Sequence, residues 1–165
     1  MNQFGETVLW VLSLIILMIL LWFTFTILNI IVTGYKCRKL DHTLSFCFNT
    51  TGKIVYSLAT IVYLLGFFGG VGFMVYGIVN GSDTMFRNAL NVAAFVSVMY
   101  GYLLSSLVMV GKKNLMVGRM MIDYRKLKKV NYTYTNKMSF VYAQQDYSFS
   151  TRFVDKTVLR KAISR

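Results

Sequence analysis

Residues 8–32 read VLWVLSLIILMILLWFTFTILNIIV, twenty-five positions from Val8 to Val32 without a charged side chain. At 1.5 Å rise per residue this stretch makes a helix about 37 Å long, which crosses a hydrocarbon core of about 30 Å with some tilt. Two further stretches have the same character. Ile54–Val79 is uncharged, and Ala89–Val110 follows Arg87 and Asn88, which belong at an interface. A hydrophobic fraction of 56% and a mean hydropathy of +0.54 in 165 residues exceed what a soluble domain of this size can hide. The expected fold class is therefore an α-helical membrane protein with three transmembrane helices, spanning about 8–32, 54–79 and 89–110.

The cations set the orientation. The loop 34–53 carries Lys36, Arg38, Lys39 and Lys53, and the segment 111–165 opens with Lys112 and Lys113 and stays basic to its end. Met1 to Thr7 carries no Lys or Arg, and the loop 80–88 carries only Arg87. Cytoplasmic flanks collect Lys and Arg, so the N-terminus and the loop 80–88 are expected outside and the C-terminus in the cytoplasm of a multi-pass cell-membrane protein. The first apolar block is far longer than a signal-peptide core and is expected to remain as an anchor.

The spans differ in texture. The first is large and apolar, with no glycine between Val8 and Val32. Ala89, Ala93, Ser97, Gly101 and Ser105 recur every four residues in the third, and Gly66 and Gly70 stand four apart in the second. Small side chains let helices approach closely in lipid. Packing of span two on span three is the simplest expectation, with a homo-oligomer or a glycine-lined pore as alternatives. No Asp, Glu, Lys, Arg or His lies in the middle of a span, which argues against ion-coupled transport.

Chemistry is sparse. The spacing Cys37-x4-His42-x4-Cys47 offers three ligands where structural zinc takes four at tighter spacing, so reduced cysteines and no metal are expected. Asn49-Thr50-Thr51 matches a glycosylation acceptor on a segment expected to be cytoplasmic, hence a chance match. The six acids are scattered, and none stands with a nucleophile and base. Catalysis and cofactors are not expected.

The segment 111–165 changes period. Leu115–Tyr124 reads as one strand. Val130, Tyr132 and Tyr134 alternate with polar residues up to a turn at Thr135-Asn136. Met138, Phe140 and Tyr142 form the next strand face, a polar turn follows at Gln144 to Asp146, and Tyr147, Phe149 and Phe153 form another. Val154, Val158, Leu159, Ala162 and Ile163 then share a helical stripe that starts near Asp155. The expectation is an antiparallel sheet of three or four strands with one helix on it, too small to be secure without support from the membrane-proximal loop, a second copy or another protein. This order of strands and helix over Leu115–Ile163 resembles the β-rich, pleckstrin-homology-like tails of uncharacterised bacterial membrane proteins. The resemblance implies a fold type and carries no site residues.

Lys112, Lys113, Arg125, Lys126, Lys128 and Lys129 form a basic cluster suited to anionic inner-leaflet lipid or to a protein partner. The function expected is that of a non-enzymatic membrane interaction protein, such as an accessory subunit of a membrane complex or an immunity protein against a membrane-active toxin. A pore-forming oligomer is the alternative. A membrane-tethered nucleic-acid binder, stacking bases on Tyr132, Tyr134, Phe140 and Tyr142, is a second one.

Overall fold

The computed structural model describes residues 3–133 and 136–164, and side chains over 5–132 and 136–164. Tyr134 and Thr135 of the expected alternation and turn lie outside the described residues. Three helices, α1 (Gln3–Leu40), α2 (Thr50–Val79) and α3 (Asp83–Ser105), are long and apolar enough to cross a membrane. A small β region and a C-terminal helix follow. The chain divides into two compact units, residues 1–28 with 58–102, and residues 29–57 with 103–165.

The first unit is helical. Leu20 of α1, Met74 of α2 and Ala89, Leu90, Ala93 and Ala94 of α3 are buried together. The hydroxyls here are satisfied locally, as an apolar solvent demands. Ser13 donates to the Leu9 carbonyl at 2.9 Å and Ser97 to the Ala93 carbonyl at 2.8 Å. Thr60 of α2 and Tyr100 of α3 share a hydrogen bond of 3.0 Å, and the rings of Tyr63 and Tyr100 stack at 4.4 Å.

The second unit contains two antiparallel sheets. One has the order β1-β2-β3-β4, from β1 (Ser45–Phe46), β2 (Val108–Val110), β3 (Asn114–Val117) and β4 (Met120–Asp123). The other has the order β5-β6-β7, from β5 (Lys128–Thr133), β6 (Lys137–Tyr142) and β7 (Gln145–Ser150). Helix α4 (Lys156–Ile163) closes the chain. One core joins these parts: Cys47, Val108, Val110, Leu115, Ile122, Met138, Phe140, Val154 and Leu159.

The structure corrects several expectations. α1 continues to Leu40, so the loop 34–53 shrinks to 41–49 and lends β1 to the first sheet. α3 stops at Ser105, and Val108–Val110 is a strand within the apolar run first assigned to the third span. Apolarity alone does not separate a buried strand from a helix end; pairing with β1 and β3 decides it. Leu115–Tyr124 is a hairpin, not one strand. It turns at Gly118, whose φ of +55° suits glycine and whose N–H donates to the Leu107 carbonyl at 2.8 Å. A Cβ there would lie 2.6 Å from the Ser105 carbonyl oxygen. Two sheets thus replace the single sheet expected. The turn between β6 and β7 is Ala143-Gln144, with Gln145 and Asp146 already in β7. In α4, Leu159 is the buried anchor while Val158 is 47% exposed, so Val158 leaves the expected stripe.

Candidate functional site

The small residues make a helix seam. A Cβ on Gly70 would stand 2.8 Å from the Ala93 Cβ and 3.3 Å from the Ala89 carbonyl oxygen. A Cβ on Gly66 would stand 2.8 Å from Val96. Ala93 and Ser97 have no exposed surface. Gly101 serves the other neighbour: its absent Cβ leaves room for the Phe23 ring of α1, 2.8 Å away. The stripe thus seats α3 against α2 at Ala89 and Ala93 and against α1 at Gly101. Ser105 does not join the seam; it is the exposed last residue of α3. On α2, Gly69 and Gly72 have nothing within 4 Å of a built Cβ. Beside them lies an apolar trough of about 410 Å³ lined by Leu65, Gly66, Gly69, Gly70, Phe73, Met85, Asn88, Ala89 and Val92.

The second feature is charge. Seventeen of the eighteen Lys and Arg belong to the second unit, against four of the six acids. Asp41, only 7% exposed, is the acid that organises its basic turn. Its carboxylate accepts from the Thr43 N–H at 3.0 Å, from the Thr43 hydroxyl, and from the Lys113 N–H at 3.2 Å. The Thr43 hydroxyl in turn accepts from the Lys112 N–H at 2.9 Å. Burial opposes ionisation of Asp41, but the bonds from the Thr43 hydroxyl and from the Lys113, Thr43 and Asn114 N–H groups outweigh it and hold the carboxyl below its usual range. Gly111 makes room, since a Cβ there would meet the carboxylate at 2.5 Å. Asp41-His42-Thr43 is legible as a turn after a helix, but its partner turn lies some seventy residues on, which no local pattern reveals.

The expected basic cluster is divided, with Lys112 and Lys113 in the turn at one end of the first sheet. β2 leaves α3 at Ser105–Leu107 and ends at the turn Gly111–Lys113. The Tyr124 N–H donates to the Lys113 carbonyl at 3.3 Å, so the one-turn 3-10 helix Tyr124–Lys126 stands beside that turn. Arg125, Lys126 and Lys128 then line a groove of about 420 Å³ with Val141, Tyr142, Ala143 and Gln144. Lys112 lines a different hollow with Thr43, Val110, Gly111, Val158, Lys161 and Ala162. Lys113 contributes its backbone to Asp41, and Lys129, at φ +50°, occupies the irregular stretch where β5 slips register against β6.

The cysteines are free and buried. Burial, more than any charge, pushes the Cys47 thiol up to about 11, and its Sγ donates to the Asp155 carbonyl at 3.4 Å. Among the described residues no three His, Cys, Asp or Glu side chains converge to hold a metal. Asn49 caps α2: its side-chain oxygen accepts from the Gly52 N–H at 2.6 Å and its amide donates to the Arg152 carbonyl at 3.1 Å. The sequence Asn49-Thr50-Thr51 thus has a structural use at the start of α2. Phe140 is 2% exposed, and the Arg160 guanidinium lies 4.9 Å from the Tyr132 ring centroid.

Comparison with protein-family models, with curated proteins and with solved structures found no match.

Proposed function

We propose that this chain is a non-enzymatic integral membrane protein that works by association, with its N-terminus outside and its basic second unit in the cytoplasm. The partition of charge supports this orientation, because Lys and Arg concentrate on the cytoplasmic side of membrane proteins. The trough beside Gly69 carries the association reading. Helices associate in lipid where small residues admit another backbone, and Gly69 and Gly72 remain open after α2 and α3 have packed. An accessory subunit of a membrane complex, or an immunity protein that occupies a toxin helix, would use such a surface. The partner is a helix of another protein or of a second copy. The pore alternative has less support, since Gly66, Gly70, Gly77 and Gly101 are each closed by a neighbouring helix. So has base stacking, since Phe140 belongs to the core.

Crosslinking in native membranes tests the association. The expected result is a discrete higher-mass adduct that Gly69→Leu removes while the helical signal and melting temperature stay unchanged. A wild-type protein that remains monomeric and partnerless, or an adduct indifferent to Gly69→Leu, would overturn the proposal.

A further inference from the structure

We propose that the groove between the turn Tyr124–Lys126 and the β6–β7 turn binds an organic phosphate. Three cations, Arg125, Lys126 and Lys128, surround it, while Val141 and Tyr142 supply an apolar and aromatic wall. A volume of about 420 Å³ is in the range of small-ligand sites. Guanidinium and ammonium groups take phosphate oxygens by charge-assisted hydrogen bonds, and the wall suits the non-phosphate part of such a molecule. The register sets Lys128 opposite Val141 and Val141 opposite Asp146, so one acid stands two strands from Lys128 and outside the groove lining.

The backbone around the groove is unusual. Lys129, Ala143 and Gln144 have φ of +50°, +50° and +66°. They are three of the four non-glycine residues with positive φ among the described residues; Ala143 and Gln144 line the groove, and Lys129 follows its lining residue Lys128. A two-residue hairpin turn of this kind favours Asn-Gly, and Ala-Gln stands there instead. Strain of this sort concentrates where a ligand or a switch uses it.

A soluble phosphate and a lipid headgroup offer the same chemistry to these cations, and the experiment separates the two sources. The site stands or falls separately from the association proposed at Gly69.

Calorimetric titration of the full-length protein in phosphatidylcholine nanodiscs, with pyrophosphate and with ADP, tests the site. Saturable binding is expected with both probes. The variant R125Q/K126Q/K128Q, and in lesser degree K128Q alone, should weaken it, the triple variant at least tenfold. The variant K53Q/R119Q/K137Q, which removes the same charge elsewhere, should change it less than twofold. Two results would overturn the proposal: no saturable binding of either probe by the folded protein, or equal weakening by both triple variants. Loss of probe binding in nanodiscs containing 20% phosphatidylglycerol assigns the site to a lipid headgroup, and retained binding assigns it to a soluble phosphate.

Discussion

Gly70 and Gly69 are adjacent on α2 and have opposite tolerances. At Gly70 an added methyl meets Ala93 at 2.8 Å, in the middle of the seam. Gly70→Val should destabilise the helical unit by about 1–3 kcal/mol, since a packed interface has no room for extra methyl groups. Thermal unfolding in mild detergent checks this, with the much milder effect of Gly69→Val as the reference. Asp41 makes a second prediction at this scale. Its carboxyl titrates below the usual value in the folded protein. The stabilisation it gives is thus complete above the unfolded value of about 3.9 and is lost as pH falls through the folded one. Asp41→Ala should cost about 1–3 kcal/mol at pH 7, because it leaves the Lys113 and Thr43 N–H groups without their acceptor. Unfolding followed by circular dichroism should show the gap to wild type closing below about pH 4.

At the scale of elements, the first sheet is assembled from distant pieces of chain. β1 comes from the α1–α2 connection, β2 from the apolar run after α3, and only β3 and β4 from beyond residue 111. Cys47 carries the connection into the core, with its N–H on the Val108 carbonyl and its carbonyl accepting from Asp155. A fragment of residues 111–165 therefore lacks two of the four strands of that sheet and the Cys47 and Val108 part of the core. It should remain unfolded by circular dichroism and by proton chemical-shift dispersion at neutral pH. A cooperative melt of that fragment would contradict the assembly described here. The support expected from the membrane-proximal loop takes this specific form, an added strand, which alternation within 111–165 had no means of showing.

For the whole molecule, topology is the decisive property. The first unit holds only Arg87, Glu6 and Asp83 as charged groups, and the remaining cations and acids lie in the second. Reporter fusions at residue 165 and in the loop 80–88 should report opposite sides of the membrane, with residue 165 inside. Reversal requires moving the cations: neutralising Lys36, Arg38, Lys39, Lys112 and Lys113 together while adding four lysines before Thr7 should shift a measurable share of molecules to the inverted orientation. A reporter at residue 165 that reads outside in the native sequence would refute the proposed orientation.

The sequence by itself determined the three apolar helices, because about twenty uncharged residues in a row have one favourable environment and hydropathy is a local sum. It also marked the faces of α2 and α3 that admit close approach, because small residues four apart share a helix face, but it left open which helix lies opposite. The tertiary structure decided where α1 and α3 end, that Leu115–Tyr124 folds back at Gly118, and that the tail has two sheets. It also decided that Asp41 anchors a turn seventy residues away and that Arg125, Lys126 and Lys128 converge on one groove. The ends of α1 and α3, the first sheet and the Asp41 contact depend on partners brought from far along the chain, and a backbone hydrogen bond between distant residues leaves no periodicity in the sequence that makes it. The hairpin at Gly118 and the β5-β6-β7 sheet pair neighbours in sequence, but alternation continues unbroken through a tight turn and does not mark it.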